Sequence, residues 1–340
     1  MKQLNNVLEE FNQVANLAKN LYPNLSQSTI KLLNYSENAT YLVENPELED
    51  KYILRIYRPG SHCKSEIEGE LYFIDSIYHN TVIETSSPIE GKDKSYIQTL
   101  RIENHPNEYY CVLFSFLNGK TLDINNEHEL IELFEKIGKI TAHFHEHIID
   151  NGAKFNNIKR QTWDNESILG KNPNWGNWED GIAITPERYE IFKKVADIIE
   201  HRLLKFGKTS NRFGLIHADL RHANLLINDK EVKVIDFDDC GFSWYLFDLA
   251  ASLTFIDHKS YASKLIEVWL KGYRKVRILS KEEEQEIPTF LMLRRFQMIS
   301  WFASHESELT QEMGLDYTEQ TEKLCYQFLE NYNYYEKFYI

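Results

Sequence analysis

The sequence predicts an α+β protein with an antiparallel sheet in its N-terminal part and mainly helices in the remainder. Strand-like runs in which apolar residues alternate, such as KYILRIYRP, occur before about residue 114. Beyond residue 120, apolar residues recur at helical spacing in runs such as EHELIELFEKIGKITAHFHEHII. The 340 residues suffice for one large unit or for two coupled ones.

In the N-terminal part, each element follows from a local pattern. The runs KLL and YLVE flank the polar stretch from Tyr35 to Thr40, which predicts two strands joined by a hairpin loop. Lys51 to Pro59 predicts a strand that ends at a proline. SEIEGELYFIDSIY predicts a helix with Glu66 and Glu70 on one face, one turn apart. YYCVLFSFLNGKTL predicts a buried strand that leads into a polar turn.

Farther along the chain, apolar stripes and caps mark the helices. One helix is predicted by a stripe of apolar residues at Leu130, Phe134, Ile137, Ile140, Phe144 and Ile148. Thr185 and Pro186 provide a cap and a first-turn proline for a helix that reaches about Phe206. Ser280 and Glu283 form a capping box for another. The C-terminal third is therefore predicted to be mostly helical.

The most informative segment runs from Leu215 to Asp239 and reads LIHADLRHANLLINDKEVKVIDFDD. Its runs LLIN and EVKVIDF predict two short strands, with a turn at residues 228–230. A hairpin of this length can bring its two ends together. The sequence therefore places Asp219, Asn224 and Asp236 as candidates for one site.

These residue types suit phosphoryl transfer from a nucleotide. That reaction needs a carboxylate to accept a hydroxyl proton, oxygen ligands for a divalent metal, and neutralisation of the phosphates. Asp219 can be the carboxylate, and Asn224 and Asp236 offer the hard oxygen atoms that Mg²⁺ prefers. Arg221 is a candidate for the neutralising charge.

The same segment leaves a second interpretation open. His217, Asp219 and His222 are residue types that ligate catalytic metals, which would make the protein a metallohydrolase. This alternative leaves Asn224 and Asp236 without a role. Phosphoryl transfer is therefore the better hypothesis.

HADLRHAN followed by VIDFDD resembles the catalytic and metal-binding segments of the aminoglycoside phosphotransferase and choline kinase superfamily, which shares the protein-kinase fold. By this resemblance, Asp219 is the catalytic aspartate, and Asn224 and Asp236 are the metal ligands. His217 would brace the catalytic loop, and Asp248 in FDLAAS would steady it from the following helix.

The resemblance also implies a bilobal, protein-kinase-like architecture. Its parts would be a nucleotide-binding lobe at residues 1–114, a hinge at 115–119, and a helical lobe at 120–340 that carries the catalytic and acceptor sites. In the superfamily, the strand that corresponds to LRIYRP carries a cation that reaches the nucleotide phosphates and pairs with a helix glutamate. The aligned cation is Arg55 in place of the more usual lysine, and Glu70 is preferred to Glu66 as its partner.

The remaining nucleotide contacts implied by the resemblance fall in the hairpin loop and in the hinge. They are Ser36, Asn38, Ser115 and Leu117. ATP and Mg²⁺ are therefore the expected cofactors.

LRIYRP, WDNESILG and the long run from GYRKVRILSK to SWFASHE extend the resemblance to a bacterial branch that includes homoserine kinase type II and stress-response kinases. The implied function is transfer of the ATP γ-phosphoryl group to a hydroxyl of an aminoglycoside, a choline-like amine or a homoserine-like acceptor. A Ser/Thr protein kinase is one alternative, although no activation-segment signature lies between Asp236 and Asp248. A nucleotide-binding pseudokinase, suggested by Arg55, is the other.

The net charge of the chain and the length of its apolar runs limit the classes of partner that the protein can bind. The net charge of −14 argues against a nucleic-acid partner and favours a neutral or cationic acceptor. No apolar run approaches the roughly 20 residues that span a bilayer, and MKQLNNVLEE lacks the apolar core of a secretory signal. We therefore expect a cytoplasmic protein with no membrane partner. The scattered cysteines are expected to be reduced thiols.

RQTWDNESILGKNPNWGNWED brings Trp163, Trp175 and Trp178 close together in sequence. One hypothesis is that this segment lines the acceptor pocket, where the rings, beside Asp164 and Asp180, hold an ammonium group by cation–π attraction. The alternative is that the tryptophans anchor a long loop to the helical part.

Overall fold

The structure, a computed structural model, describes residues 2–47, 49–103, 105–122, 126–228, 231–305 and 308–336. The chain divides into two compact units. The first comprises residues 1–120, 157–160 and 226–238, and the second comprises residues 121–156, 161–225 and 239–340. The antiparallel sheet belongs to the first unit and the long helices that follow it belong to the second, which confirms the predicted fold class.

The N-terminal elements follow the alternation seen in the sequence. In chain order they are α1 (Lys2–Ala18), β1 (Thr29–Tyr35), β2 (Asn38–Asn45), β3 (Asp50–Tyr57), α2 (Lys64–Asn80), β4 (Glu84–Thr85), β5 (Pro88–Ile89), β6 (Ile97–Arg101) and β7 (Glu108–Ser115). The predicted strands become β1, β2, β3 and β7, and the predicted helix becomes α2. No pattern in the sequence predicted α1 or the short strands β4 to β6.

The main sheet of the first unit has the strand order β1-β2-β3-β7-β5, and β6 also pairs with β7; the pairs are antiparallel. Leu54 and Ile56 of β3 join Phe11 and Val14 of α1 in one apolar core. Because side chains alternate along a strand, Arg55 faces the opposite side of the sheet. It meets α2 there.

The remaining elements are mainly helical. They are α3 (Glu127–Phe155), α4 (Asn165–Leu169), α5 (Pro186–Phe206), β8 (Phe213–Ile216), β9 (Leu225–Asn228), β10 (Glu231–Val234), β11 (Gly241–Trp244), α6 (Leu246–Ser252), α7 (Ala262–Tyr273), α8 (Lys281–Gln285), α9 (Ile287–Ser304) and α10 (Glu308–Glu336). The predicted hairpin strands become β9 and β10, which are neighbours in a small sheet with β4. Asp229 and Lys230 of the predicted turn lie outside the described residues.

The predicted helix caps are confirmed. The Thr185 side chain accepts a hydrogen bond from the Arg188 N–H (3.3 Å) at the start of α5. Ser280 and Glu283 form a capping box at α8, with the Ser280 N–H donating to the Glu283 carboxylate at 2.8 Å. None of the described helices is long and apolar enough to cross a membrane.

Two glycines allow α3 and α7 of the second unit to approach closely. A Cβ atom at Gly138 would lie 2.0 Å from the Trp269 carbonyl oxygen, and one at Gly272 would lie 1.9 Å from the Glu135 carbonyl oxygen. Any larger residue would therefore push the helices apart. This packing holds α3, which carries His145, in a fixed position within the unit.

Trp178 anchors the long loop between α4 and α5. Its ring is buried, stacks on Tyr189 (centroids 5.6 Å apart) and contacts Phe192 and Phe296. Trp178 therefore has the second of the two roles that the sequence left open for the tryptophans, which is to anchor the loop to the helical part.

We expect Trp178→Ala to lower the free energy of unfolding by about 3–5 kcal/mol, because the substitution leaves a large cavity between packed rings. Urea unfolding measures the change. Leu204→Ala, which removes an exposed side chain of α5, is the control and should change stability by less than about 0.5 kcal/mol. Equal effects of the two substitutions would contradict the anchoring role.

Candidate active site

Asp248 of α6 is fully buried and holds the loop that follows β8. Its carboxylate accepts hydrogen bonds from the backbone N–H groups of His217 (3.3 Å) and Ala218 (2.7 Å). Ala218 has φ +66°, a left-handed conformation that residues other than glycine seldom adopt. The buried carboxylate thus stabilises an unusual backbone, and this backbone carries Asp219.

His145 of α3 supports the same carboxylate. Its Nε2 lies 3.2 Å from Asp248 Oδ2, and its Nδ1 lies 2.8 Å from the Tyr273 hydroxyl. Burial lowers the pKa of His145 below its ordinary value, although Asp248 opposes the shift, so the ring is neutral at neutral pH. Since the carboxylate only accepts, Nε2 donates to Asp248 and Nδ1 accepts from Tyr273.

The Asp219 carboxylate is held on both of its oxygens. Oδ1 accepts from the Arg294 guanidinium at 2.7 Å, and Oδ2 accepts from Asn224 Nδ2 at 2.8 Å and from Arg221 Nε at 3.0 Å. An ionised carboxylate has about four lone-pair positions, so these bonds leave Oδ1 with room for one more donor. The side chain is therefore oriented and still able to accept a proton.

Sequence reasoning missed Arg294, a buried residue of α9. Besides Asp219, its guanidinium donates to Thr254 Oγ1 at 3.0 Å and to Gln297 Oε1 at 2.6 Å. These bonds fix the plane of the guanidinium. The signal for it was a pair of adjacent arginines, Arg294 and Arg295, in an otherwise apolar helix, since buried arginine is rare unless it is paired.

Asn224 and His217 also form hydrogen bonds within the loop. The Asn224 NH₂ group donates to the Asp219 backbone oxygen (2.9 Å) and to the Asp219 carboxylate, so Oδ1 is the atom left for a ligand. His217 Nδ1 accepts from the Asp219 N–H at 3.3 Å, which braces the loop from within.

The metallohydrolase alternative is not supported. The described residues contain no group of three or more His, Cys, Asp or Glu side chains that could hold a metal ion. His222 has a buried Nδ1 without a hydrogen-bond partner among those residues, and burial lowers the pKa of its ring.

In the first unit, Arg55 forms ion pairs with three carboxylates, the longest of them to Asp238 Oδ1 at 3.8 Å. Its guanidinium lies 2.6 Å from Glu70 Oε1 and 3.0 Å from Asp236 Oδ1. Glu70 is completely buried, and its other oxygen accepts from the Tyr57 hydroxyl at 2.9 Å. Glu66, the partner we ranked second, instead accepts from the Cys63 N–H at 2.8 Å at the start of α2.

Asp236 follows β10 with φ +65°, and its side chain is 48% exposed. Its carboxylate oxygens are hard, anionic donors of the kind that hold Mg²⁺ together with water and phosphate, and in the second unit Asn224 Oδ1 is a hard, neutral donor of the same kind. The chemistry of each donor, taken by itself, therefore fits the expected metal.

The predicted nucleotide-binding residues differ in whether their polar groups already form hydrogen bonds within the protein. Ser36 is exposed in the β1–β2 turn, whereas Asn38 is buried and its Oδ1 accepts from the Arg58 N–H at 3.3 Å. The Ser115 N–H donates to the Ser87 carbonyl oxygen at 2.9 Å, just before the start of β5. Among the predicted hinge groups, the backbone of Leu117 is the better candidate for pairing with adenine.

In the tryptophan-rich loop, the two acids of the predicted ammonium site already have partners within the protein. Asp164 caps α4 and forms an ion pair with Lys208, and Asp180 accepts from Asn177. Trp163 and Trp178 are buried, and Trp175 is partly exposed.

The sheet followed by helices, together with the Asp219 loop, defines a phosphotransferase of the protein-kinase-like class. The chain belongs to the phosphotransferase enzyme family APH, whose model matches residues 29–279. This confirms the predicted membership of the aminoglycoside phosphotransferase and choline kinase superfamily.

Relatives and solved structures agree with this assignment. The structure of a microcompartment-associated aminopropanol kinase is 31% identical, has a TM-score of 0.84, and covers 94% of this chain and 98% of its own. Amicoumacin kinase from Bacillus subtilis (strain 168) is 23% identical over 282 residues, 79% of this chain and 78% of the relative. The structure of amicoumacin kinase hAmiN, with 20% identity and a TM-score of 0.74, covers 95% of this chain and 96% of its own and shows the same fold.

The enzyme is therefore an ATP-dependent phosphotransferase. The hAmiN structure contains AMP-PNP and Ca²⁺, a nucleotide and a divalent metal ion. The predicted cofactors, ATP and a divalent cation, agree with this finding.

We expect Arg55→Met to lower the free energy of unfolding by about 3–5 kcal/mol, because it leaves the Glu70 carboxylate buried without a cation. Adding Glu70→Gln should restore much of the loss, since both charges are then absent. Urea unfolding of the single and double variants measures this coupling. Arg101→Met, at an exposed ion pair of the same sheet, is the control and should have little effect. Additive effects of the Arg55 and Glu70 substitutions would contradict the pairing.

Proposed function

We propose that this protein transfers the γ-phosphoryl group of ATP to the hydroxyl of a small hydroxylated amine. The observation that carries the proposal is the Asp219 carboxylate, which Arg294, Asn224 and Arg221 orient while one lone-pair position stays available. Two facts support an amine as the acceptor. The 31%-identical structure is that of an aminopropanol kinase, and the net charge of −14 favours cations over anions.

In this proposal, Asp219 orients the acceptor hydroxyl and takes its proton. The hydroxyl oxygen forms a bond to the γ-phosphorus, the bond from that phosphorus to the β-phosphate oxygen breaks, and ADP leaves. Asp248 and His217 keep the loop in place. Arg221, whose guanidinium lies beside Asp219, contacts the transferring group.

Asn224 and Asp236 are the proposed Mg²⁺ ligands, and the metal would neutralise phosphate charge when bound. Arg55, positioned by Glu70, contacts the nucleotide phosphates, and Ser36 and the Leu117 backbone provide further nucleotide contacts.

The linear division into residues 1–114, 115–119 and 120–340 stays a proposal for how nucleotide, hinge and acceptor functions are distributed. The described units add residues 157–160 and 226–238 to the N-terminal part. A cytoplasmic location is also a proposal, supported by the need for ATP and by the lack of a disulfide bond among the cysteines of the described residues.

The alternatives are less well supported. The kinases that this chain resembles are named for small molecules, which disfavours a Ser/Thr protein kinase. The Asp219, Asn224 and Asp236 set is present, which disfavours a pseudokinase.

We expect Asp219→Asn to lower kcat by at least about 100-fold and to leave ATP binding intact, because the amide cannot take the hydroxyl proton. Coupled ADP release measures turnover, and nucleotide titration measures binding. Asp197→Asn, at an exposed position of α5, is the control. Unchanged turnover in Asp219→Asn would rule out its role as the base.

The same assay, run with Mg²⁺, tests the acceptor class with 1-amino-2-propanol, ethanolamine, choline, homoserine and an aminoglycoside. We expect ADP release to depend on one of the small hydroxylated amines. Tight ATP binding with no turnover of any acceptor would instead indicate a pseudokinase.

A further inference from the structure

Phe255, in the turn that follows α6, has a backbone conformation that its residue type disfavours. Its φ is +72°, in the left-handed region, where an aromatic residue is strained. The side chain is only partly buried, so burial of the ring in the core does not by itself account for the strain. Strained residues that persist in a folded protein are concentrated at functional sites.

Hydrogen bonds within the turn hold Phe255 in this conformation. The Asp257 N–H donates to the Leu253 carbonyl oxygen at 2.9 Å. The Thr254 hydroxyl donates to the Ala251 carbonyl oxygen at 2.7 Å. The residues on both sides of Phe255 are therefore fixed, and its backbone cannot relax without breaking these bonds.

The same turn is bonded to two buried arginines of α9. The Asp257 carboxylate accepts from Arg295 Nε at 2.6 Å, and Thr254 Oγ1 accepts from Arg294 Nε at 3.0 Å. These bonds attach the turn to a packed helix of the second unit. The position of the Phe255 ring is thus set by the helix as well as by the turn.

The Phe255 ring lies against Arg221. The distance from Arg221 Cζ to the ring centroid is 5.8 Å, which is within the range of cation–π attraction. The ring also contacts Phe302 and Tyr317, with centroids 6.2 Å and 6.0 Å away. Phe255 therefore connects an aromatic cluster, made of these three rings, to a guanidinium of the candidate site.

Arg221 is a residue whose orientation needs support. Its side chain is 30% exposed, and its Nε donates to Asp219 Oδ2 at 3.0 Å. This hydrogen bond sets where the guanidinium lies, but the plane can still turn about the bond. An aromatic face restricts that rotation because guanidinium groups stack on it. The orientation matters because arginine binds phosphate oxygens through a planar fork of donors.

We propose that Phe255 is a positioning residue, whose ring fixes the plane of the Arg221 guanidinium so that its donors meet the transferring phosphoryl group. This inference rests on the contact of Arg221 with that group in the proposed function. An interaction that is strongest in the transition state raises kcat rather than lowering KM. Phe255 therefore acts on kcat, and it does so through Arg221.

A series of fluorinated phenylalanines at position 255 tests the ring face directly. 4-Fluoro-, 3,5-difluoro- and 3,4,5-trifluorophenylalanine keep the shape of the ring and progressively weaken the negative potential of its face. We expect kcat to fall steadily along the series, by about threefold at the last member, with KM for ATP and acceptor unchanged. The same series at Phe302, a ring of the same cluster, is the control and should leave kcat unchanged.

A double-mutant cycle separates positioning from packing. We expect Phe255→Leu to lower kcat about tenfold in the wild-type background. In the Arg221→Gln background it should lower kcat less than about twofold, because no guanidinium is left to position. A ring that only stabilised the fold would lower kcat by the same factor in both backgrounds.

A flat fluorine series, or an equal loss of kcat in both backgrounds, overturns the positioning role and leaves the proposed function standing. If Phe255→Leu does not fold, as judged by thermal unfolding, the fluorine series decides, since fluorine barely changes the size of the ring. Full turnover in Arg221→Gln overturns the contact of Arg221 with the transferring group and the positioning role with it. The role of Asp219 is then still tested separately by Asp219→Asn.

Discussion

The buried ion pair between Asp219 and Arg294 is the interaction on which the candidate site depends. Arg294 is only 4% exposed at its side chain, and its guanidinium lies 2.7 Å from the carboxylate. Burying two charges is costly unless their remaining hydrogen-bonding groups are satisfied. Here Thr254 and Gln297 satisfy the arginine, and Asn224 and Arg221 satisfy the aspartate. The position of the candidate base is thus set by a helix distant in sequence.

The loop that carries Asp219 is held from a second direction. Asp248 binds the backbone at His217 and Ala218, and neutral His145 holds Asp248. Both supports reside in helices packed within the second unit. A base held in one orientation needs no reorganisation when the acceptor hydroxyl arrives, which is how fixed geometry lowers a reaction barrier.

Arg55 differs from Arg294 in that its charge interacts with more than one carboxylate. It lies against the buried Glu70 and the half-exposed Asp236, so its charge is shared by a structural partner and a proposed metal ligand. The planar guanidinium can contact both at once, whereas the compact ammonium of lysine acts as a point charge. Arginine at this position therefore preserves the pairing with Glu70.

The sequence predicted the fold class, the loop residues Asp219 and Asn224 and the helix residue Asp248, because short motifs and apolar periodicity carry that information locally. It could not predict the Arg294 contact, because α9 is apolar on nearly all sides and its packing partner depends on tertiary structure. The nucleotide contacts at Asn38 and Ser115 stay predictions, and the bonds that these residues form to the Arg58 N–H and the Ser87 carbonyl oxygen are visible only in three dimensions.

The proposed reaction leaves the γ-phosphoryl group on an acceptor hydroxyl. A ³¹P NMR spectrum of a reaction with ATP, Mg²⁺ and the best amine acceptor is the sharpest test. We expect a new phosphomonoester resonance that grows one to one with ADP. ADP accompanied only by inorganic phosphate, or a product with phosphorus bonded to nitrogen, would contradict it.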